Sequence, residues 1–264
     1  MFIGLVAAAS VVTYPILFTF NAALKDEISF RVNIMSPAWP PHFDALVYVA
    51  KFVELPWSLA VSVFISCTTV ALLWVIGGLA AFGLTKTRLP FRSVAFWLIL
   101  GSLLVPIQVV LSPLFLVLRD IGLLNTLQGL ILASAAFQLP IATFLFSAYL
   151  RRIPNEIVEA ASVDGASTIA VIWYIIAPLS RPILATVGAI SFVLTWNELL
   201  IPIIVLQDSH FQTLTVRTAQ LRGSYSGDPV QLTAGVAIAM VPMLLVYLIA
   251  QRHLIAAVTV GASR

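Results

Sequence analysis

Charge is the scarcest property of this 264-residue chain: Lys, Arg, Asp and Glu together fill 9% of positions, where an ordinary soluble domain carries about 25%. That is too little to coat a globule, and it argues against a soluble enzyme. Cysteine is almost missing as well. Cys67 stands alone, which excludes an internal disulfide and a multi-cysteine metal site and leaves a small packed apolar group. Lys25, Lys51 and Lys86 are the lysines, and none follows a glycine, so there is no phosphate-binding loop of the Gly-Lys-Ser/Thr kind. No His, Cys or carboxylate cluster has metal or acid–base spacing. A repeat of 20 to 50 residues, a low-complexity tract and a basic-aromatic stretch suited to nucleic acid are also lacking.

What the chain has instead is apolar length. Hydrophobic residues make up 61%, against roughly 45–50% in average proteins. Uncharged stretches run over Met1–Leu24, Leu55–Thr85, Ser93–Leu118, Ile121–Leu150, Pro182–Asn197 and Pro229–Gln251. All but the fifth exceed the roughly 20 residues that cross a bilayer. The fifth reaches that length if Glu198 is tolerated, because Leu199–Gln207 is again uncharged. An all-α polytopic membrane fold with six transmembrane helices follows, at about residues 1–20, 57–84, 94–117, 127–148, 183–206 and 230–250. Barrel strands would alternate faces over about ten residues, and these runs do not. Ala7-Ala8-Ala9 resembles a small-residue cleavage site, but no basic residue precedes Lys25, so the first stretch is expected to be a retained span.

Six spans place both termini on one side, together with Thr85–Arg92, Tyr149–Arg181 and Gln251–Arg264. That side carries eight basic residues against three acidic ones, and the other carries six against seven. The positive-inside rule makes the first side, and both termini, cytoplasmic. The net charge of +3 needs no nucleic acid to explain it. Asn21–Pro56 and Gln207–Asp228 are the sizeable outer segments, and Pro37, Pro40 and Pro41 make the former irregular. Internal prolines at 106, 113, 140, 202 and 242 are expected to bend their spans.

The richest stretch is cytoplasmic, from Arg151 to Ser167. Pro154 suits a first helical position, Asn155 and Glu156 favour an N-terminal turn, and Gly165 is a natural left-handed stop. The result is a helix of about ten residues, too short to hold alone in water, with Ile157, Ala160 and Ala161 as a small apolar docking face. A second helix follows from about Ala166 to Ala177, ended by Pro178 and Pro182. Ala166–Ser180 is too short to be a seventh span.

Glu159-Ala160-Ala161, three residues, Gly165, nine residues and Ile175-Ile176-Ala177-Pro178 resemble the E-A-A-x3-G-x9-I-x-L-P cytoplasmic loop of ATP-binding-cassette (ABC) importer permeases. Ala177 departs from that pattern, which has leucine there. Asp164-Gly165-Ala166, Pro178-Leu179, Pro182, Trp196-Asn197-Glu198 and Gly122-Leu123-Leu124-Asn125-Thr126 look like the carbohydrate-uptake branch, similar to the smaller maltose permease subunit. The first span lacks the polar cytoplasmic tail that similar permeases usually carry before it; insertion is expected to survive.

The resemblance implies a type I importer permease fold: one transmembrane domain over 1–264, with residues 149–182 as a cytoplasmic coupling loop. Glu159 would be the charged contact to an ATPase, Ala160 and Ala161 the close-approach surface, Gly165 the bend, with Asp164 and Pro178 completing the loop. The implied partners are a second, unlike permease, two copies of an ATPase subunit that bind ATP and Mg, an extracytoplasmic solute-binding protein, and membrane lipid. This chain would hold no cofactor and catalyse nothing. A sugar or sugar-like solute is implied, in the inner (plasma) membrane.

Glu198, beside Trp196 and Asn197, is the one carboxylate within a span, which marks a functional or paired group. It could make a structural bond near the outer end of span five, gate, or line the solute path. Gln108, Gln138 and Asn197 could bond a hydroxylated solute or a neighbouring helix. Gly223, Tyr225 and Gly227 in the last outer loop would contact the binding protein, or merely connect spans. The rival function is a stand-alone secondary carrier or channel, which would normally show several buried ionisable groups or two related halves.

Overall fold

The chain alternates long apolar helices with short ones set at sharp breaks. The computed structural model describes residues 2–87, 89–221 and 228–262, and no strand occurs among them. In chain order the α-helices are α1 (Phe2–Ala23), α2 (Glu27–Val32), α3 (Asp44–Phe52), α4 (Leu55–Lys86), α5 (Arg92–Gly101), α6 (Ile107–Asp120), α7 (Leu127–Leu150), α8 (Asn155–Val163), α9 (Thr168–Val171), α10 (Ala177–Leu179), α11 (Arg181–Asn197), α12 (Leu200–Val205), α13 (Leu214–Gln220) and α14 (Pro229–Ala262). The backbone forms two compact units, Met1–Ser62 with Gln212–Leu245 and Val63–Phe211 with Val246–Arg264.

In the first unit the segment after α1 is more ordered than its prolines suggest. Asn21 donates to Ser36 O at 2.9 Å and accepts the Ala38 N–H at 2.8 Å. The buried Lys25 ammonium donates to Asn33 O and to Ser36 Oγ. Further on, the Leu214 N–H donates to Ser62 Oγ at 2.8 Å, and the buried Arg217 guanidinium pairs with Glu54 at 3.1 Å. Bonds of this kind are needed because backbone buried away from water must find partners.

In the second unit one apolar core joins Leu73, Ala81 and Phe82 of α4 to Phe146 and Leu150 of α7, Ala161 of α8, Val171 of α9, Ile176, and Ile183 and Val187 of α11. The core therefore runs from the long helices into the short helices after α7.

Among the described residues, three helices are long and apolar enough to cross a membrane by themselves: Leu55–Lys86, Leu127–Leu150 and Pro229–Leu248. Ala9–Ala23 is a shorter apolar helix. The remaining two expected spans differ from the sequence expectation, and proline explains both. Span three is not one curved helix. Arg92–Leu104 and Ile107–Asp120 meet at 103°, because Pro106 pushes the preceding residue out of the helical region, and Val105 sits at φ −82°, ψ 116°. Span five ends at Asn197, with Glu198 extended at ψ 131°. Pro202 cannot donate to the Glu198 carbonyl four residues back and its ring would strike it, so Leu200–Val205 restarts as a separate helix. Pro113, Pro140 and Pro242 lie inside continuous helices.

Thr168–Leu179 and Arg181–Asn197 meet at 78°, so the segment after α8 turns sharply into α11. Pro178 acts here as well. Residues Ile172–Ile176 form a π-helical turn in which the Ala177 N–H donates to Ile172 O. The widened turn accommodates a proline ring that would otherwise strike the Tyr174 carbonyl.

Candidate functional site

Helix α8 starts where Pro154, in its N-cap position at φ −58°, sets the entry. It ends at Asp164 and Gly165, with Gly165 at φ 82°, a conformation that L side chains rarely adopt. The Gly165 N–H donates to Ser162 O at 3.1 Å and the Ala166 N–H reaches back to Ala161 O at 2.9 Å, which closes the helix end with a bond spanning the last turn. Two residues later the Ser167 hydroxyl accepts the Ala170 N–H at 3.2 Å and starts α9. The reversal is thus built from one left-handed glycine and one capping serine.

The loop is tied to the long helices at three places. Lys86, at the end of α4, donates to Ile153 O and to Asn155 Oδ1 at 2.9 Å. Tyr149 Oη donates to Leu179 O at 2.9 Å. Ala161, Val171 and Ile176 enter the shared core. This corrects the expected docking face. Ala161 is buried within its own subunit, with Val158 packed beside it, and is not available to a partner. Ile157, Glu159, Ala160 and Val163 remain exposed, as does Asp164, while Pro178 supports the π turn.

A buried polar group lies between α7 and α11. Gln138 donates from Nε2 to Thr195 Oγ1 at 2.9 Å, and Thr195 donates to Ser191 O at 2.9 Å. Gln138 Oε1 and Ser134 Oγ, one turn apart on α7, have no bonding partner among the described residues. Beside Thr195, Trp196 is buried and stacks on Phe192 at 5.7 Å. Asn197 donates to Val193 O at 2.9 Å. Glu198 is not held in mid-span. Its Oε1 accepts the N–H groups of Leu199 and Leu200 at 3.1 and 2.9 Å, so the carboxylate caps the restarted helix α12. Gln108 is exposed on α6 and no bond joins it to this group. Gly223, Tyr225 and Gly227 lie outside the described residues.

Asn125 is a functional candidate that sequence patterning presented only as part of a likeness. It sits at φ 58°, its N–H donates to Val205 O at 2.9 Å, and its Oδ1 accepts the N–H groups of Gln207 and Asp208 at 2.7 and 3.2 Å. One side chain therefore satisfies the end of α12 from the turn before α7. Asn125→Ala should lower stability by about 0.5–2 kcal/mol, as for lost helix caps, and raise the strain of the left-handed backbone. A thermal shift of the purified protein indistinguishable from wild type would count against this clamp. Lys86 and Tyr149 had no motif to mark them; their signal was position, a donor placed where a long helix meets the short ones.

Residues 73–260 match the family described as binding-protein-dependent transport system inner membrane component. The chain belongs to this family. The matched region contains α8, its glycine reversal, the Gln138–Thr195 pair and the Asn125 clamp. This inner membrane component is similar to the diacetylchitobiose uptake system permease protein of Streptomyces coelicolor, at 33% identity over 77% of this chain and 68% of that protein. It is also similar to the melibiose/raffinose/stachyose import permease protein of Bacillus subtilis, at 31% identity over 98% of this chain and 93% of that one. Among solved structures, a chain of a bacterial ABC transporter involved in the import of the acidic polysaccharide alginate shares the fold, with a TM-score of 0.76, 24% identity and coverage of 95% and 93% of the two chains. The permease is a transport component and not a catalyst.

Proposed function

We propose that this permease carries a sugar or sugar-like solute inward as one half of an ATP-driven importer, working with a second, unlike permease, two ATPase subunits that bind ATP and Mg, and an extracytoplasmic binding protein. The observation that carries this reading is the helix–Gly165–helix loop. Its inner face is locked into the core of α4, α7 and α11, while Glu159 and Ala160 face outward. A rigid loop of this kind passes movement from a partner seated on its outer face into the long helices. Relatives named for diacetylchitobiose and for melibiose, raffinose and stachyose support a carbohydrate, and the amide oxygen of Gln138 and the hydroxyl of Ser134 offer bonds to such a solute. The segment containing Gly223, Tyr225 and Gly227 is assigned to the binding protein.

Purification of the tagged subunit from its own cell membrane should bring down an unlike permease and an ATPase. In vesicles, ATPase activity should rise only with binding protein loaded with its sugar. Transport by the subunit alone would overturn the reading in favour of a stand-alone carrier.

Orientation is part of the same proposal, with the loop and both termini cytoplasmic. In a Cys67→Ala background, an impermeant thiol reagent applied from outside should label Lys51→Cys but not Arg152→Cys, since both positions are exposed. Labelling of position 152 from outside would sink this orientation.

A further inference from the structure

The arginines of this chain divide into two groups. Among the described residues, Arg31 pairs with Glu27, Arg119 with Asp120 and Arg217 with Glu54, and all three pairs lie on the side assigned to the exterior. At the other end of the long helices, Arg92 and Arg151 have no carboxylate partner among the described residues. Arg92 donates to the Thr87 carbonyl at 3.3 Å, and the Arg151 guanidinium lies 5.0 Å from the centre of the Phe96 ring. Both line one cavity of about 470 Å³ between the ends of α4, α5 and α7, with Thr85, Ser93, Phe96 and Trp97, and no acidic residue lines it.

Two guanidinium groups around a cavity without an acid repel one another unless an anion sits between them. A guanidinium fork matches a phosphate oxygen pair. The face of Phe96 attracts the Arg151 guanidinium to the cavity while leaving its N–H groups able to donate. The Ser93 hydroxyl adds a further donor.

The surroundings decide between a free anion and a lipid. Helix α5 buries none of its residues. Trp97 is 67% and Leu98 72% exposed, and Val94 is exposed one turn earlier. These apolar side chains continue directly from the cavity along a helix of a membrane protein, where acyl chains cover them and tryptophan marks the headgroup level. Basic cavities between transmembrane helices on the cytoplasmic side suit acidic headgroups.

We infer that this cavity binds the phosphate of an anionic phospholipid, held by Arg92 and Arg151 with its chains along Trp97 and Leu98. The lipid acts on the loop. Arg151 ends α7 four residues before α8, and Thr85 adjoins Lys86, which anchors α8, so an occupied cavity braces both supports of the loop. Only the leaflet depends on the orientation proposed above.

The test is lipid retention by the full-length subunit in the complex it purifies with, read by native mass spectrometry after exchange into mixed phosphatidylglycerol and phosphatidylcholine. Wild type should keep phosphatidylglycerol in preference. Arg92→Gln/Arg151→Gln should lose that preference by about tenfold or more, Arg92→Lys/Arg151→Lys should keep much of it, and Arg31→Gln should match wild type. Equal retention of the two lipids by wild type, or unchanged preference in the Gln pair, would overturn the site. Displacement of lipid by millimolar inorganic phosphate would replace it with a soluble-anion site. Loss of the second permease from the Gln pair, without any lipid preference in wild type, would make the cavity a subunit interface. Retention is measured without ATP or solute, so failure of the importer reading leaves this result standing.

Discussion

Gly165→Pro is expected to abolish uptake while leaving the subunit in the membrane at near-normal level. Gly165 holds φ 82°, and proline is confined to about −65°, so α8 and α9 cannot reverse as they do. The membrane helices insert by their own apolarity and should not notice. A graded series separates backbone conformation from contact. A side chain added at Gly165 meets nothing within 4 Å, so only the left-handed backbone opposes it. Asn tolerates that backbone best, Ala costs about 1–2 kcal/mol there, and Pro excludes it. Uptake should fall in the order Gly, Asn, Ala, Pro, with ATPase activity becoming independent of loaded binding protein. Glu159→Lys, a charge reversal on the exposed face, should give a milder form of the same uncoupling. Normal uptake by Gly165→Pro would show that the loop does not couple.

What was legible in the sequence was whatever depends on one residue's backbone chemistry or on apolar length. The apolar runs of α4, α7 and α14 could be read because crossing a bilayer sets a minimum length. The end of α8 could be read because few residues besides glycine take a positive φ. Proline was harder. Pro106, Pro113, Pro140 and Pro202 carry the same local penalty, yet Pro106 and Pro202 stand at breaks while Pro113 and Pro140 do not. Whether neighbouring groups take up the freed carbonyl decides the outcome, and that is a tertiary property.

Direction in space was the other hidden quantity. The sequence offered Ala160 and Ala161 as one small face, but a helix turns by 100° per residue, and that single step buries Ala161 while leaving Ala160 exposed. Glu198 illustrates the same limit. As a residue within an apolar run it had to be a paired or functional group; that its partners are the N–H groups of Leu199 and Leu200 follows only once Pro202 has broken the helix and freed them. Gln138 found a helix-to-helix bond in Thr195 through its amide nitrogen, and its amide oxygen has no partner among the described residues.

At Gly188 a single added methyl group collides with a ring. Its carbon would lie 2.9 Å from Trp74 Cζ2, closer than two carbon atoms approach, and 3.3 Å from Nε1, a tight contact. The indole is not free to swing aside, because its N–H donates to Leu184 O at 2.9 Å, one turn before Gly188 on the same helix. Gly188→Ala must therefore break that bond, at about 1 kcal/mol, or push α4 away from α11, at about 1–3 kcal/mol for overpacking. Gly188→Leu should cost more and leave little assembled complex. Trp74→Leu removes both obstacle and bond, so in the double variant Trp74→Leu/Gly188→Ala the glycine substitution should become nearly silent, with a coupling energy of about 0.5–3 kcal/mol. Thermal midpoints of the purified complexes measure this cycle; strictly additive losses would show that Trp74 is not what the methyl meets. Uptake should follow the same pattern, because α11 joins the loop at Arg181 to the polar group at Thr195. If the loop couples as proposed, movement delivered at one end should reach the other only while α4 holds the helix in place.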